Sequence, residues 1–429
     1  MVREIKHTEI GDIPLEWELQ TFAETFRVLS NNTLPRADLN NRGGTVRNIH
    51  YGDILTRFTE VLDCEHDEVP YLNDVSLLTA SAQVLQDGDV ILADTAEDDT
   101  VGKATEIYGL GKSRMVAGLH TIPCRVKKGE FVPKWLGYYM NSHTYHDQIL
   151  PYITGIKVSS ISKAAISGTL IAVPPMEEQE AIVSAFSEID MLIAQLKKVI
   201  SKLQCLKKGC LNMMFPKDSS DIPSLRVPEC TIPWKWRKLG DIGQTYTGLS
   251  GKIKEDFGHG QARFITYINV FSNPISDPEM TEPIEIDPKQ NEVKVGDVFF
   301  TTSSETSEEV GMSSVLLQKQ GKTYLNSFCF GFRPAEKFDN YFLAYMLRSD
   351  SIRKKIILLA QGISRYNISK SKVMEIAVSI PSLDEQRGIG QYFCHLDHLI
   401  TLHQRKLDKY TQLKKAMMSK LINGKIKIV

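Results

Sequence analysis

The chain has no uninterrupted apolar run near the roughly 18 to 20 residues that a membrane span requires, and its opening MVREIKHTEI is followed by no apolar segment of the kind a secretory signal carries. We therefore expect no membrane partner and a cytoplasmic location. It also has no C-x-x-C pair. Its seven cysteines, Cys64, Cys124, Cys205, Cys210, Cys230, Cys329 and Cys394, are odd in number and scattered. That pattern argues against a disulfide framework and a zinc ribbon, and the thiols read as reduced. Excess charge is missing too: 51 Lys+Arg stand against 52 Asp+Glu, for a net charge of −1. Such a balance speaks against a protein that grips nucleic acid by bulk positive charge, so any contact of that kind must come from local patches or from a partner. A phosphate loop is absent as well. GLGKS at Gly109 resembles one, but the motif needs a glycine five residues before Gly111, where Glu106 stands.

What the chain does have is itself, twice. At an offset of 207 residues it aligns without a gap from Phe131 to Phe215, and VPPMEEQEAIVSAFSEID from Val173 faces IPSLDEQRGIGQYFCHLD from Ile380. Pro174, Glu178, Gln179, Ile182, Phe186, Asp190, Leu192, Ile193, Leu206, Lys207 and Lys208 all recur. FVPKWLGYYMNS faces FDNYFLAYMLRS, and TGIKVSSISK faces QGISRYNISK. With small gaps the match continues upstream: DGDVILADT faces VGDVFFTTS, and IPLEW near the start faces IPWKW at Ile232. A repeat of this length means two copies of one unit, each a variable globular part followed by a common segment.

The common segment reads as a long helix. In the first copy Ile182, Phe186, Ile189, Ile193, Leu196, Ile200, Leu203, Leu206, Cys210 and Met213 recur at steps of four and three with one stutter. In the second Ile389, Phe393, Leu396, Ile400, His403, Leu407, Tyr410, Leu413 and Met417 do the same. Proline stops the preceding strand, acids follow at the helix start, and Ser382 with Glu385 forms a candidate capping box. About 37 residues at a rise of roughly 1.5 Å give a helix of about 55 Å, longer than a small domain is wide. One narrow seam on such a helix needs a second helix, and the duplicate is the natural partner. A pseudo-two-fold axis would make the two antiparallel and put the globular parts at opposite ends.

The P-x-x-x-E-Q-x-x-I helix starts at Pro174 and Pro381, the L-K-K near each helix end, the G-I-x-x-x-x-I-S-K before each last strand and the tandem order together resemble the specificity subunit of Type I restriction-modification systems. The resemblance covers essentially the whole chain. It implies two target recognition domains, each reading one half of a bipartite duplex DNA sequence, and an antiparallel coiled coil between them. It also implies no catalytic activity in this chain. Two methyltransferase subunits holding S-adenosylmethionine would dock on the helices, and restriction subunits, where present, would bring ATP and Mg. The two globular parts differ greatly, so the implied target is asymmetric. In keeping with borrowed chemistry, no Asn-Pro-Pro-aromatic or Asp-Pro-Pro-aromatic run is present. A two-headed scaffold that spaces proteins is the competing reading from another class.

Candidate DNA contacts fall in the frame the copies share, mostly where the two carry different side chains. Lys157, Ser159, Ser160 and Lys163 in the first copy, and Arg365, Tyr366, Asn367 and Lys370 in the second, suit phosphates or base edges. Arg365 could bind guanine and Asn367 adenine. Gly155, Ile161, Ser162 and Ile368 read instead as turn and core residues. Arg57 in YGDILTRF is a weaker candidate, and the polar loops ADTAEDDTVGK and TTSSETSEEVG are a second region. Cys394 and His398 have ligand-like spacing, but the matching SEIDM does not repeat it, and SHTYHD at Ser142 fails the same comparison. No metal site and no catalytic residue is expected. The expected fold is α+β, with recognition domains over residues 1–175 and 216–381, spacer helices over 176–215 and 382–423, and a C-terminal tail to 429.

Overall fold

The computed structural model describes residues 3–127, 130–155, 157–217 and 220–428. By spatial contact the chain forms two compact units, residues 1–195 with 407–429, and residues 196–406. Each unit therefore holds one globular part, a portion of the first long helix, Met176–Met213, and a portion of the second, Leu383–Leu421.

Within the first unit a five-stranded sheet runs in the order Phe26–Val28, Thr121–Val126, Val90–Ala93, Ala104–Tyr108, Val61–Asp63, beside a four-stranded sheet that contains Val46–Ile49 and Arg114–Ala117 as parallel neighbours. The second unit repeats the plan with Gly243–Thr247, Cys329–Pro334, Val298–Thr301 and Ser313–Val315, beside a sheet in which Phe257–Ile265 and Thr323–Leu325 are parallel. The central strands Val90–Ala93 and Val298–Thr301 are buried throughout. That is why both read as short continuous apolar runs rather than alternating ones.

The strand before each long helix pairs with the strand that opens each globular part: Val173 lies opposite Glu18, and Ile380 opposite Lys235. This register makes Trp234, not Trp236, the counterpart of Trp17, which corrects the pairing of IPLEW with IPWKW by two residues. Trp17 and Trp234 are both buried, against Trp135 and Phe342, themselves repeat partners. Trp236 lies at the surface under Lys355. Burial of the large indole, rather than the short motif, sets the alignment.

The repeated Glu-Gln locks each helix start to its globular part. Gln179 accepts from the Val132 amide and donates to the Pro174 carbonyl, while Gln386 does the same with Asp339 and Pro381. Glu178 binds Arg3 and the Trp17 indole, and Glu385 takes a two-pronged bond from Arg226 at 2.6 and 2.9 Å. The expected capping box is thus half formed. The Glu385 amide reaches the Ser382 hydroxyl at 3.4 Å, but the Glu385 carboxylate turns to Arg226 instead of back to Ser382, because a buried carboxylate is better served by a guanidinium than by one amide.

In both units the long helices run antiparallel. In the first, Ile182, Val183 and Phe186 share a core with Leu421 and Ile422. In the second, Ile389, Phe393 and Leu396 share one with Cys210, Met214 and Phe215. The seam differs from expectation at its ends. Leu206 and Leu413 are exposed, and the interior positions belong to Lys207 and to Lys414, the latter buried. Likewise Met213 is exposed and Met214 buried. With the lysines admitted the stutter vanishes: 200, 203, 207, 210, 214 and 407, 410, 414, 417, 421 keep strict steps of four and three. The lysines are tolerated because each meets an aspartate of the other helix, Lys414 with Asp190 at 2.7 Å and Lys207 with Asp397. A tyrosine hydroxyl completes each site, Tyr138 to Asp190 at 2.8 Å and Tyr345 to Asp397 at 2.6 Å. Ile193, Leu196, Leu203, Ile400, Leu407 and Tyr410 are half-buried, and Ile189 and Ile200 are buried.

Removing Glu385 leaves Arg226 largely buried without its counter-ion, which costs about 3 kcal/mol when a buried pair is broken on one side. Glu385→Ala is expected to lower the urea midpoint of the second unit, with hydrogen exchange in Ala377–Ile380 accelerated and exchange in Leu170–Val173 unchanged.

Candidate nucleic-acid interface

The two loop regions singled out in the sequence come together in each unit, and they do so identically. In the first, Thr95–Ala96 pairs antiparallel with Ser159–Ser160; in the second, Ser303–Ser304 pairs with Tyr366–Asn367. The loops preceding Ser160 and Asn367 close on themselves. Thr154 and Ser160 exchange both backbone bonds at 3.0 and 2.8 Å, and Gln361 and Asn367 do so at 2.9 and 2.8 Å. Gly155 and Gly362 make this closure feasible: both have positive φ, and a Cβ on either would stand 2.0 Å from the carbonyl oxygen of Val158 or Arg365. Ile161 and Ile368 are buried, and their amides donate to Asp94 and Thr302. Asp94 and Thr302 in turn donate to the carbonyls of His120 and Phe328, at 3.1 and 2.9 Å.

These backbone bonds define equivalent positions that carry different chemistry. Asp94 corresponds to Thr302, His120 to Phe328, Val158 to Arg365, Ser159 to Tyr366 and Ser160 to Asn367. In the first unit the His120 ring reaches Asp94 at 3.3 Å and Thr95 at 3.2 Å, with Tyr51 edge-on at 5.3 Å. In the second, the Arg365 guanidinium lies 5.7 Å from the centre of the Phe328 ring, and Tyr267 donates to the Ser303 carbonyl at 2.6 Å. Tyr51 and Tyr267 each head a short helix, Tyr51–Thr56 and Tyr267–Ser272, capped by His50 and Thr266.

Of the sequence candidates, Lys157, Lys163 and Arg365 are exposed and make no ion pair among the described residues, and Asn367 is exposed. Ser159, Ser160, Tyr366 and Lys370 are half-buried. Arg57 stands apart: it bonds Asp53 at 3.1 Å and the Glu68 carbonyl at 3.0 Å. Asp53 is buried and already bound by Arg36, so Arg57 serves the fold. The His146 ring N–H donates to the Val101 carbonyl at 2.9 Å, a contact that supports the loop rather than a metal. His120, Phe328 and the two tyrosines were missed, whereas Asp94 falls in the polar loop ADTAEDDTVGK. A repeated Ile-x-Tyr, at Ile49 and Ile265, was the available signal for the tyrosines.

Behind the second unit's paired loops sit two half-buried arginines. Arg353 donates to the carbonyls of Glu308, Val310 and Gly311 at 2.7 to 2.8 Å, and Arg348 to those of Ser313, Val270 and Phe271 at 2.7 to 3.0 Å. Burial pulls both down to about 10, so both stay charged at neutral pH. No carboxylate pairs with either among the described residues, and carbonyl dipoles supply the compensation. The equivalent residues in the first unit are Asn141 and His146. A cavity of about 690 Å³ in the first unit is lined by Glu65, Asp87, Asp89 and Glu106, with Arg125 tied to Asp89. Such a lining repels phosphate.

Fold and face define a duplicated, two-unit protein whose units present the same closed loops with different side chains. Residues 231–412 match the family described as Type I restriction modification DNA specificity domain. The chain is 25% identical to a putative type I restriction enzyme MjaX specificity subunit of Methanocaldococcus jannaschii, over 99% of this chain and 96% of that one. It is 21% identical to the type I restriction enzyme EcoKI specificity subunit of Escherichia coli, over 68% and 65%. The crystal structure of a Type-I restriction-modification system S subunit from M. genitalium superposes with a TM-score of 0.54 at 13% identity, covering 98% and 99% of the two chains. A chain from a structure on complex assembly and conformational transition of the type I R-M system gives 0.55 at 16%, over 96% and 99%. The chain is thus similar over nearly its whole length to specificity subunits of Type I restriction-modification systems. Among the described residues no helix is long and apolar enough to cross a membrane.

Arg353→Ala removes three bonds that hold the loop after Ser304. Amide exchange over 305–311 is expected to quicken at least tenfold, following the loss of about 1 kcal/mol or more per bond, while the loop after Ala96 exchanges as before.

Proposed function

We propose that the chain is the DNA-recognition subunit of a Type I restriction-modification assembly, in which each unit reads one half of an asymmetric, bipartite duplex target. It supplies recognition, and the chemistry comes from partners. The observation that carries this reading is the pair of equivalent faces: one backbone frame, kept by glycine and main-chain bonds, with Asp94, His120, Val158 and Ser160 in one unit and Thr302, Phe328, Arg365 and Asn367 in the other. A frame that is preserved while its outward side chains diverge is what two readers of different base sequences require. Lys157, Lys163, Arg365 and Lys370 supply the cations for phosphate, and Arg365 and Asn367 can reach base edges.

The partners we assign are two methyltransferase subunits that carry S-adenosylmethionine, and restriction subunits that carry ATP and Mg. The long helices support the number two. Leu192 and Leu413 are exposed in the first unit, and their repeat counterparts Leu399 and Leu206 are exposed in the second. Each unit thus offers the same apolar pair to one copy of the same partner.

Assembled with a methyltransferase, the protein should bind its target with affinity that falls steeply as salt rises, whereas a scaffold that spaces proteins would not. Replacing residues 1–175 with the matching segment of a relative should change one half of the methylated sequence, mapped in cells, and leave the other half intact. If both halves change together, the units are not independent readers. Within the second unit, Arg365→Ala is expected to weaken binding by about 1 to 3 kcal/mol. It should relax one base position if the contact is to guanine, or weaken binding uniformly if it is to phosphate.

A further inference from the structure

Phe328 is 54% exposed, although the residues that follow it, Cys329 and Phe330, are buried. Its place in the chain is fixed on both sides. The Phe328 amide donates to the Asn326 side chain at 2.8 Å, and its carbonyl accepts from both the amide and the hydroxyl of Thr302, each at 2.9 Å. Cys329 pairs with Thr301 in the main sheet of the second unit. A main chain held this firmly presents the ring at one point, so a contact that the ring makes outside the protein carries little ordering cost for the backbone.

The neighbour of the ring marks where its partner approaches. The Arg365 guanidinium stands 5.7 Å from the ring centre, exposed and without an ion pair among the described residues. An unpaired cation on this face lies where a duplex comes nearest. The two side chains arrive from separate segments joined through Thr302, which donates to the Phe328 carbonyl and accepts from the Ile368 amide. Their spacing is under two base-pair rises of about 3.4 Å, so they address the same or adjacent pairs.

In the first unit the equivalent place holds His120, whose ring reaches Asp94 and Thr95. One unit thus offers a hydrogen-bonding ring and the other an apolar one. Phosphate is the same in both half-sites, so a ring whose polarity changes between the units follows the bases. In the major groove the base edges carry donors, acceptors and one apolar group, the C5 methyl of thymine, which phenylalanine is suited to cover.

We propose that Phe328 is a specificity-determining residue that reads thymine in the half-site of the second unit, covering its C5 methyl beside the contact made by Arg365. This rests on the DNA-recognition reading and names one base of the target.

The test uses the complex of the full chain with its methyltransferase partner. Its duplexes carry the mapped target, with deoxyuridine replacing in turn each thymine of the half-site that the domain exchange assigns to the second unit. Loss of a methyl is then the only change. For the wild type one such replacement should weaken binding about fourfold, the worth of one buried methyl-sized group. Phe328→Ala should bind the thymine and deoxyuridine duplexes equally. Phe328→Leu, which keeps an apolar side chain and guards against a folding defect, should retain part of the preference. Neither variant should alter the response to deoxyuridine in the first half-site. The proposal is overturned if the second half-site has no thymine on either strand, or if no replacement weakens wild-type binding. It is also overturned if Phe328→Ala weakens the thymine and deoxyuridine duplexes by the same factor, since the ring would then stack on an unpaired base or seat Arg365 rather than read a methyl. A wild-type complex without sequence-specific binding would remove the DNA-recognition reading itself, so the two failures are distinguishable.

Discussion

A lysine inside a helix seam is the contact on which the architecture turns. Lys414 meets Asp190, Asp190 accepts from Tyr138, and the repeat supplies Lys207, Asp397 and Tyr345 in the same arrangement. Each triad joins three elements: the short helix of a globular part and both long helices. An apolar seam of isoleucine and leucine is tolerant of a slip by one heptad. The triad is not. Seven residues either side of Asp190 stand Val183 and Lys197, and seven either side of Asp397 stand Gly390 and Gln404. A slipped pair would part each seam lysine from its aspartate, although Lys414 also meets Glu60 at 2.6 Å, so the polar position favours one register much as a buried asparagine does in other coiled coils. Because the tyrosine belongs to the globular part, that register also fixes where the part sits on its helices.

The helix starts extend the same logic. Glu178 and Glu385 each gather an arginine from the segment that leads into the globular part, and Gln179 and Gln386 each bind the amide just before its short helix. Nothing in this set points outward. It is an internal frame of buried polar bonds, repeated apart from the Trp17 indole bond to Glu178, on which unrepeated loops are mounted. The frame's tolerance is visible at the short helices. Asp339 caps the second one directly, while the first starts at Lys134 with φ +81° and takes its cap from Glu106 on a distant strand. Burial pushes the Glu106 carboxyl up to about 7 even so. The end of one helix is satisfied in two ways, and the outcome for the sheet beneath is the same.

The sequence carried the duplication, the long helices and the closed loops, because each rests on local signals: a fixed offset, a 3.5-residue period, a glycine before a turn. It misplaced the seam at Leu206 and Leu413 because hydrophobicity was the criterion, and the residue that belongs inside is a lysine whose partner lies on the other helix. It misaligned Trp17 for a related reason: IPLEW and IPWKW agree in letters, while strand pairing with Val173 and Ile380 shifts them by two. The reading face was half legible. Ser160 and Asn367 follow from the loop pattern, whereas His120 and Phe328 come to it from a turn elsewhere in the chain and are recognised only through their backbone bonds to Asp94 and Thr302.

Those backbone bonds also bear on how such a protein can change. The links that recur in both units use main-chain atoms: Thr154 with Ser160, Gln361 with Asn367, Ile161 to Asp94, Ile368 to Thr302. Arg353 and Arg348 likewise hold carbonyls and not side chains. A substitution at Val158 or Arg365 therefore leaves in place the main-chain bonds that position the loop. Had the loops been held by the same side chains that face outward, each change of target would also have been a change of fold, and the two units could not have diverged so far while keeping one frame.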